Sequence, residues 1–136
     1  MTVKSWMRWV AVGGAVISTA CLVAAAGAGA GGGIYFTQRG AEGVVPAPIE
    51  RVTDATERAF RRYRITKTKV GSEREGEREK REISGDAKGR DEDVTVTLEE
   101  EGRGTTRVQV VARRTAVTWD KDFARAVLQE IVANSR

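Results

Sequence analysis

The stretch "DVTVTLEEEGRGTTRVQVVAR", residues 93–113, decides the fold. Val94, Val96 and Leu98 alternate with Thr95 and Thr97. After "EEGRG" the pattern resumes, with Val108, Val110 and Ala112 alternating with Arg107 and Gln109. A period of two residues is that of a strand with one face buried and the other wet. The glycine-containing break between the two runs is a turn, so the pair reads as an antiparallel hairpin.

The flanking segments extend this sheet. "RITKTKVGSE" carries the β-branched residues Ile65, Thr66, Thr68 and Val70 and reads as a strand. "SEREGEREKREI", residues 72–83, is almost wholly charged and reads as a mobile hairpin loop leading into a strand around 80–87. "DAKGRDED" is the next turn. On the N-terminal side, Ile49, Val52, Thr56, Ala59, Phe60 and Tyr63 recur at helical spacing behind Pro48, which suits the first position of a helix. On the C-terminal side, Phe123, Val127 and Ile131 form the stripe of a second helix, with Thr118 or Asp120 as its N-cap.

The expected order is therefore α-β-β-β-β-α. It predicts an α+β two-layer sandwich: a four-stranded antiparallel sheet with both helices on one face, preceded by a signal or anchor segment. The expected core is Ile49, Val52, Phe60, Ile83, Val94, Val96, Leu98, Val108, Val110, Phe123, Val127 and Ile131.

The N-terminus has a different character. "MTVKSWMR" is short and basic, "WVAVGGAVI" is uncharged, and "STAC" brings small residues up to Cys21, the chain's single cysteine. This is the order of a secretory signal. Ser18-Thr19-Ala20-Cys21 resembles the lipobox of bacterial lipoproteins, with Ser18 where Leu is usual. The resemblance implies cleavage after Ala20 and acylation of Cys21, whose chains would hold the protein to membrane lipid. Leu22 after the cysteine resembles the pattern of outer-membrane sorting. The expected location is thus the periplasmic face of a cell membrane, the outer in preference to the inner. The expected parts are a signal peptide (1–20), a lipidated Gly/Ala-rich tether (21–47) and a small α+β domain (48–136). Within the tether, "TQRGAEGVVPAP" (37–48) reads as its end, closed by Pro46 and Pro48. Two alternatives stand beside this. Residues 9–38 carry no charge, so an uncleaved helix over about 9–36 could cross a bilayer, which needs roughly 20 apolar residues. Ordinary cleavage after Ala24-Ala25-Ala26 is the other.

Taken as a whole, the chain is similar to a family of small bacterial lipoproteins known only as a domain of unknown function. The resemblance rests on the cysteine followed by a Gly/Ala run and Tyr35, then "DATERAF", "ISGDAKGRDEDVTVTL", "TTRVQVVAR" and a final helix with Ile131. The turn after the last strand, "RRTAVTWDKD", departs from the Gly-x-x-Gly-Asp type expected there. The family has no assigned catalytic residues, so the resemblance implies none here.

Composition narrows the chemistry. The chain has no histidine, and its net charge of +4 owes half to Lys4 and Arg8 ahead of Cys21. The basic balance is therefore no nucleic-acid footprint, and no nucleic-acid partner is expected. Nucleophilic catalysis needs a nucleophile beside a base; after Cys21 only Ser72, Ser84 and Ser135 offer serine hydroxyls. "DED" (91–93) and "EEE" (99–101) could hold a metal only through carboxylates, and they read better as solvated strand ends. "RRYRITKTK" could meet anionic headgroups through Arg61, Arg62, Arg64, Lys67 and Lys69, or pair with nearby acids. No catalytic, metal or cofactor residues are expected. The reading is a non-enzymatic binding or structural module that meets an envelope protein through a polar sheet face or its charged loop.

Overall fold

The computed structural model describes residues 33–136. Ala20, Cys21 and the leader lie outside the described residues. Within them the elements run β1 (Ile34–Phe36), β2 (Gly40–Val45), α1 (Ile49–Arg62), β3 (Thr66–Glu75), β4 (Arg78–Ala87), β5 (Glu92–Glu100), β6 (Thr106–Arg113) and α2 (Lys121–Asn134).

The sheet has six strands, not the expected four. Its order is β1-β2-β6-β5-β4-β3, and every neighbouring pair is antiparallel. The β5–β6 hairpin matches the alternation in the sequence, and β3 and β4 extend it into a four-stranded meander. The two further strands come from residues 34–45, which read as tether from the sequence alone. β2 pairs with β6, setting Ala41 opposite Val110 and Gly43 opposite Val108, and β1 pairs with β2. A second difference concerns the charged stretch 72–83. It is strand on both sides of a two-residue turn, with Glu75 opposite Arg78. Gly76 takes φ +64° there, in the first central position, where a II′ turn needs glycine.

Ala41, Val45, Ile83, Ala87, Val94, Val96, Leu98, Val108, Val110 and Ala112 all point to one face and are buried. Both helices cover that face. α1 supplies Ile49, Val52, Ala55, Ala59 and Phe60, and α2 supplies Phe123, Ala124, Val127, Leu128 and Ile131. The helices also pack on each other, and Tyr63 sets its ring edge-on to Phe123 at 5.6 Å. Every residue assigned to the core from the sequence is buried. Each fully buried Val, Leu or Ile contributes about 1.5–3 kcal/mol relative to exposure.

Gly85 shows how closely the layers meet. A Cβ there would lie 2.5 Å from Ile65 Cγ2 and 2.9 Å from Phe60 Cε2. The α1–β3 corner thus presses on β4 at the one point where β4 has no side chain. Asp120 caps α2 by accepting from the Phe123 amide at 2.9 Å. α1 begins at Pro48 without a side-chain cap. Among the described residues no helix is long and apolar enough to cross a membrane.

Candidate interaction surface

Covering one face of the sheet leaves the other free of both helices. The strand period that sends Val94, Val96, Val108 and Val110 inward sends Thr95, Thr97, Gln109 and Val111 outward. These four, with Val44 and Ser84, are half-buried by their neighbours in the sheet. Thr95 stands opposite Val111 and Thr97 opposite Gln109. The Ser84 and Thr95 hydroxyls meet at 3.4 Å. The centre of the face is thus short, uncharged and β-branched.

Charges frame this centre. Arg107 reaches Glu42 at 3.5 Å and also pairs with Glu101. Tyr35, on the short edge strand β1, donates its hydroxyl to Glu42 Oε1 at 2.8 Å. That bond, assisted by partial burial and the negative charge of Glu42, holds the phenol above its ordinary pKa. Glu99 lies opposite both Lys80 and Arg107, and Asp93 lies opposite Arg113 and Asp86. The open face thus has an uncharged centre of short side chains and a rim of mixed charge.

The acidic runs do not assemble into a metal site. "DED" is split by the strand period: Glu92 turns in and is buried, while Asp91 and Asp93 are exposed. "EEE" is split in the same way, with Glu99 on the open face, Glu100 on the helical side and Glu101 beyond the strand. Among the described residues no group of three or more His, Cys, Asp or Glu side chains could hold a metal ion.

Two of the buried acids are instead matched by arginine. Glu92 and Asp120 receive the Arg114 guanidinium at 2.8 and 2.9 Å, and Arg90 stands 3.6 Å from Asp120. The Arg90 guanidinium lies over the Phe123 ring, 4.1 Å from its centre. Burial works to raise the Asp120 pKa. The Phe123 amide and the Arg114 guanidinium outweigh it, and the net shift is downward. Arg114's own hydrogen bond to Glu92, followed by the charges of Asp120 and Glu92, raises its pKa. At the other end of the domain, Glu79 accepts from Arg81 Nε at 2.6 Å and from Ser72 at 3.2 Å. Arg81 also donates to Thr53 on α1 at 2.9 Å, tying β4 to the helix. The Arg81 hydrogen bond, opposed by burial, lowers the Glu79 pKa. These are pins that hold elements together.

The basic run is dispersed. Arg61, Arg62 and Arg64 are exposed around the end of α1, and Lys67 is bound to Glu57 of α1 at 2.8 Å. Its central Tyr63 faces the core edge. Cys21 and Ala20, the residues tied to anchoring, fall outside the described part. The alternation of β5 and β6 by itself sends Thr95, Thr97 and Gln109 of this face outward; Val44, on β2, is not found this way, because its strand reads as tether in the sequence.

Residues 6–134 match the model of a family described as "Protein of unknown function (DUF3568)". No curated protein matches the chain.

Proposed function

The chain belongs to that family of unknown function, and from this premise we propose that it is a membrane-anchored envelope lipoprotein whose domain is a non-enzymatic binding module. The observation that carries the binding role is the one-sided sheet. Both helices lie over one face, and the other presents Val44, Thr95, Thr97, Gln109 and Val111 within a charged rim. The occupant is a protein of the cell envelope.

The anchoring part is supported by the sequence: a basic n-region, an apolar stretch and Ser18-Thr19-Ala20-Cys21. Cleavage after Ala20 frees Cys21 for acylation, and two or more acyl chains suffice for stable attachment. The sheet begins at Ile34. Fully extended, the chain from Cys21 to Ile34 covers at most roughly 45 Å. The domain then works close to the membrane surface, on its periplasmic side, with the outer membrane favoured.

Mass spectrometry of the mature protein tests the anchor. A diacylglyceryl-modified Cys21 at the N-terminus is expected, and Cys21→Ser should release the protein from membranes. An intact Met1 would overturn the lipoprotein reading in favour of an uncleaved anchor. Cross-linking in intact cells tests the face. Thr97→Arg with Gln109→Arg should abolish adducts to envelope proteins without lowering Tm by more than a few degrees; unchanged adducts would remove the open face from consideration.

A further inference from the structure

We propose that β3 is a self-complementary edge through which two copies of the chain join into one continuous antiparallel sheet, with a two-fold axis at Gly71. This goes beyond the binding role above and depends neither on the anchor nor on the open face.

β3 closes one side of the sheet. It runs for ten residues, all exposed except the half-buried Gly71. The opposite edge, β1, has only three residues. A long free edge offers unpaired N–H and C=O groups to another strand, and proteins usually blunt such edges with proline, charged side chains, bulges or a covering segment. β3 contains no proline, and its charges have a particular order. In "KTKVGSERE", residues 67–75, Lys67 and Lys69 precede Gly71 and Glu73 and Glu75 follow it at the same spacings.

That order is a charge palindrome under antiparallel pairing. Turning a second copy about Gly71 puts Lys69 of each chain opposite Glu73 of the other, twice by symmetry, and Val70 opposite Ser72. Opposite charges directly across two strands attract, and like charges repel. Sliding the mate by one residue in one direction sets Lys69 opposite Arg74, where like charges repel, and in the other it sets Lys69 opposite Ser72 and loses the attraction. An isologous two-fold contact of this kind closes on itself and gives a dimer.

The local structure leaves the needed charges available. Among the described residues Lys69, Glu73 and Glu75 enter none of the ion pairs. Lys67 does, because an irregularity in the β3–β4 register between Lys67 and Lys69 turns it toward Glu57. The regular part of the edge is therefore Lys69–Glu75, centred near the proposed axis. Val70 is 56% exposed on the helical side. In the paired sheet the two Val70 side chains become diagonal neighbours across the junction, within the roughly 7–8 Å range of such contacts. At Gly71 an added Cβ would meet nothing within 4 Å, so a side chain can be placed on the axis without disturbing the monomer.

The test is site-directed disulfide formation in the full chain, purified in mild detergent, with Cys21→Ser so that the introduced thiol is the only one. Gly71→Cys should give a covalent dimer on mild oxidation. Ser72→Cys and Glu75→Cys should do so at least tenfold more slowly, since their symmetry mates lie beyond the roughly 7 Å limit for a disulfide. In the Gly71→Cys background, Lys69→Glu or Glu73→Lys alone should cut the yield at least fivefold. The Lys69→Glu/Glu73→Lys exchange should restore it, because the swapped charges are again complementary across the axis. Equal yields at all three positions, a monomer at every concentration by sedimentation, or an exchange that fails to restore the dimer would each overturn the proposal. Circular dichroism melts of each variant separate loss of pairing from loss of folding.

Discussion

Arg114 donates from Nε to Glu92 Oε1 at 2.8 Å, and Glu92 is almost completely buried at the start of β5. The same guanidinium reaches Asp120 at 2.9 Å. One exposed arginine thus serves two buried carboxylates and fastens the segment after β6 to β5. An acid left buried without its partner is costly, more than the intact pair is favourable. Arg114→Ala should therefore lower Tm, and adding Glu92→Gln should recover part of the loss. A double-mutant cycle on thermal melts measures this; a second substitution that only deepens the loss would show that Arg114 acts through packing.

Asp120 has two roles that substitutions can separate. As N-cap of α2 it accepts from the Phe123 amide, and as an acid it pairs with Arg114 and Arg90. Asparagine caps a helix about as well as aspartate. Asp120→Asn should keep the cap and lose the ion pairs. Asp120→Ala should lose both, falling below Asp120→Asn by about 1 kcal/mol in urea denaturation. Equal stabilities would mean that the cap contributes nothing here.

Acid should destabilise the domain in a defined window. Asp120, Glu79 and Glu57 all have folded-state pKa values below their ordinary ones. A depressed carboxylate pKa contributes stability that is complete above the unfolded value, about 4. That contribution falls as pH drops through the folded value. Urea midpoints should be flat in this respect from pH 7 to about 5 and decline below about 4. Asp120→Asn should make the decline shallower; an unaltered slope would place the acid sensitivity elsewhere.

Gly85 should tolerate no side chain. Its neighbours Ile65, Phe60 and the Thr66 carbonyl stand within 3 Å of where a Cβ would sit. Gly85→Ala should cost about 1–3 kcal/mol, the usual penalty for overpacking. Gly89, where nothing lies within 4 Å, is the control, and Gly89→Ala should change the urea midpoint little. Similar midpoints for the two variants would show that the α1–β3 corner can move aside.

How far the fold was legible depended on whether the signal was local. The strands β5 and β6 and both helices follow from periodicities contained within each segment, so Val94, Val108, Phe60 and Val127 could be assigned to the core by spacing alone. The hairpin of β3 and β4 was harder. Its inward positions include Arg81 and Glu79, which pair with each other while Arg81 also donates to Thr53, so an ion pair occupies places where a strand pattern would show apolar residues. The acidic runs "DED" and "EEE" looked like clusters in one dimension and were separated by the strand period. The open face was half-legible: its outward Thr, Gln and Val residues are printed in the sequence, but the width of the face depends on strands that the sequence does not announce.

The sequence by itself determined the β5–β6 hairpin, its inward and outward faces and the two helical stripes, because each rests on a hydrophobic period of a few residues. Tertiary structure alone decided that residues 34–45 complete the sheet. "IYF" consists of good β-formers, but its three residues are too few to show a period, and "GAEGVV" opens with small residues and a charge. β2 pairs with β6, far away in the chain, and β1 pairs with β2. Ala41 and Gly43 are the small inward residues of β2, and a Cβ at Gly43 would lie 2.8 Å from the Gly33 carbonyl oxygen and 3.5 Å from the Ile34 side chain. In one dimension, those same small side chains look like a linker.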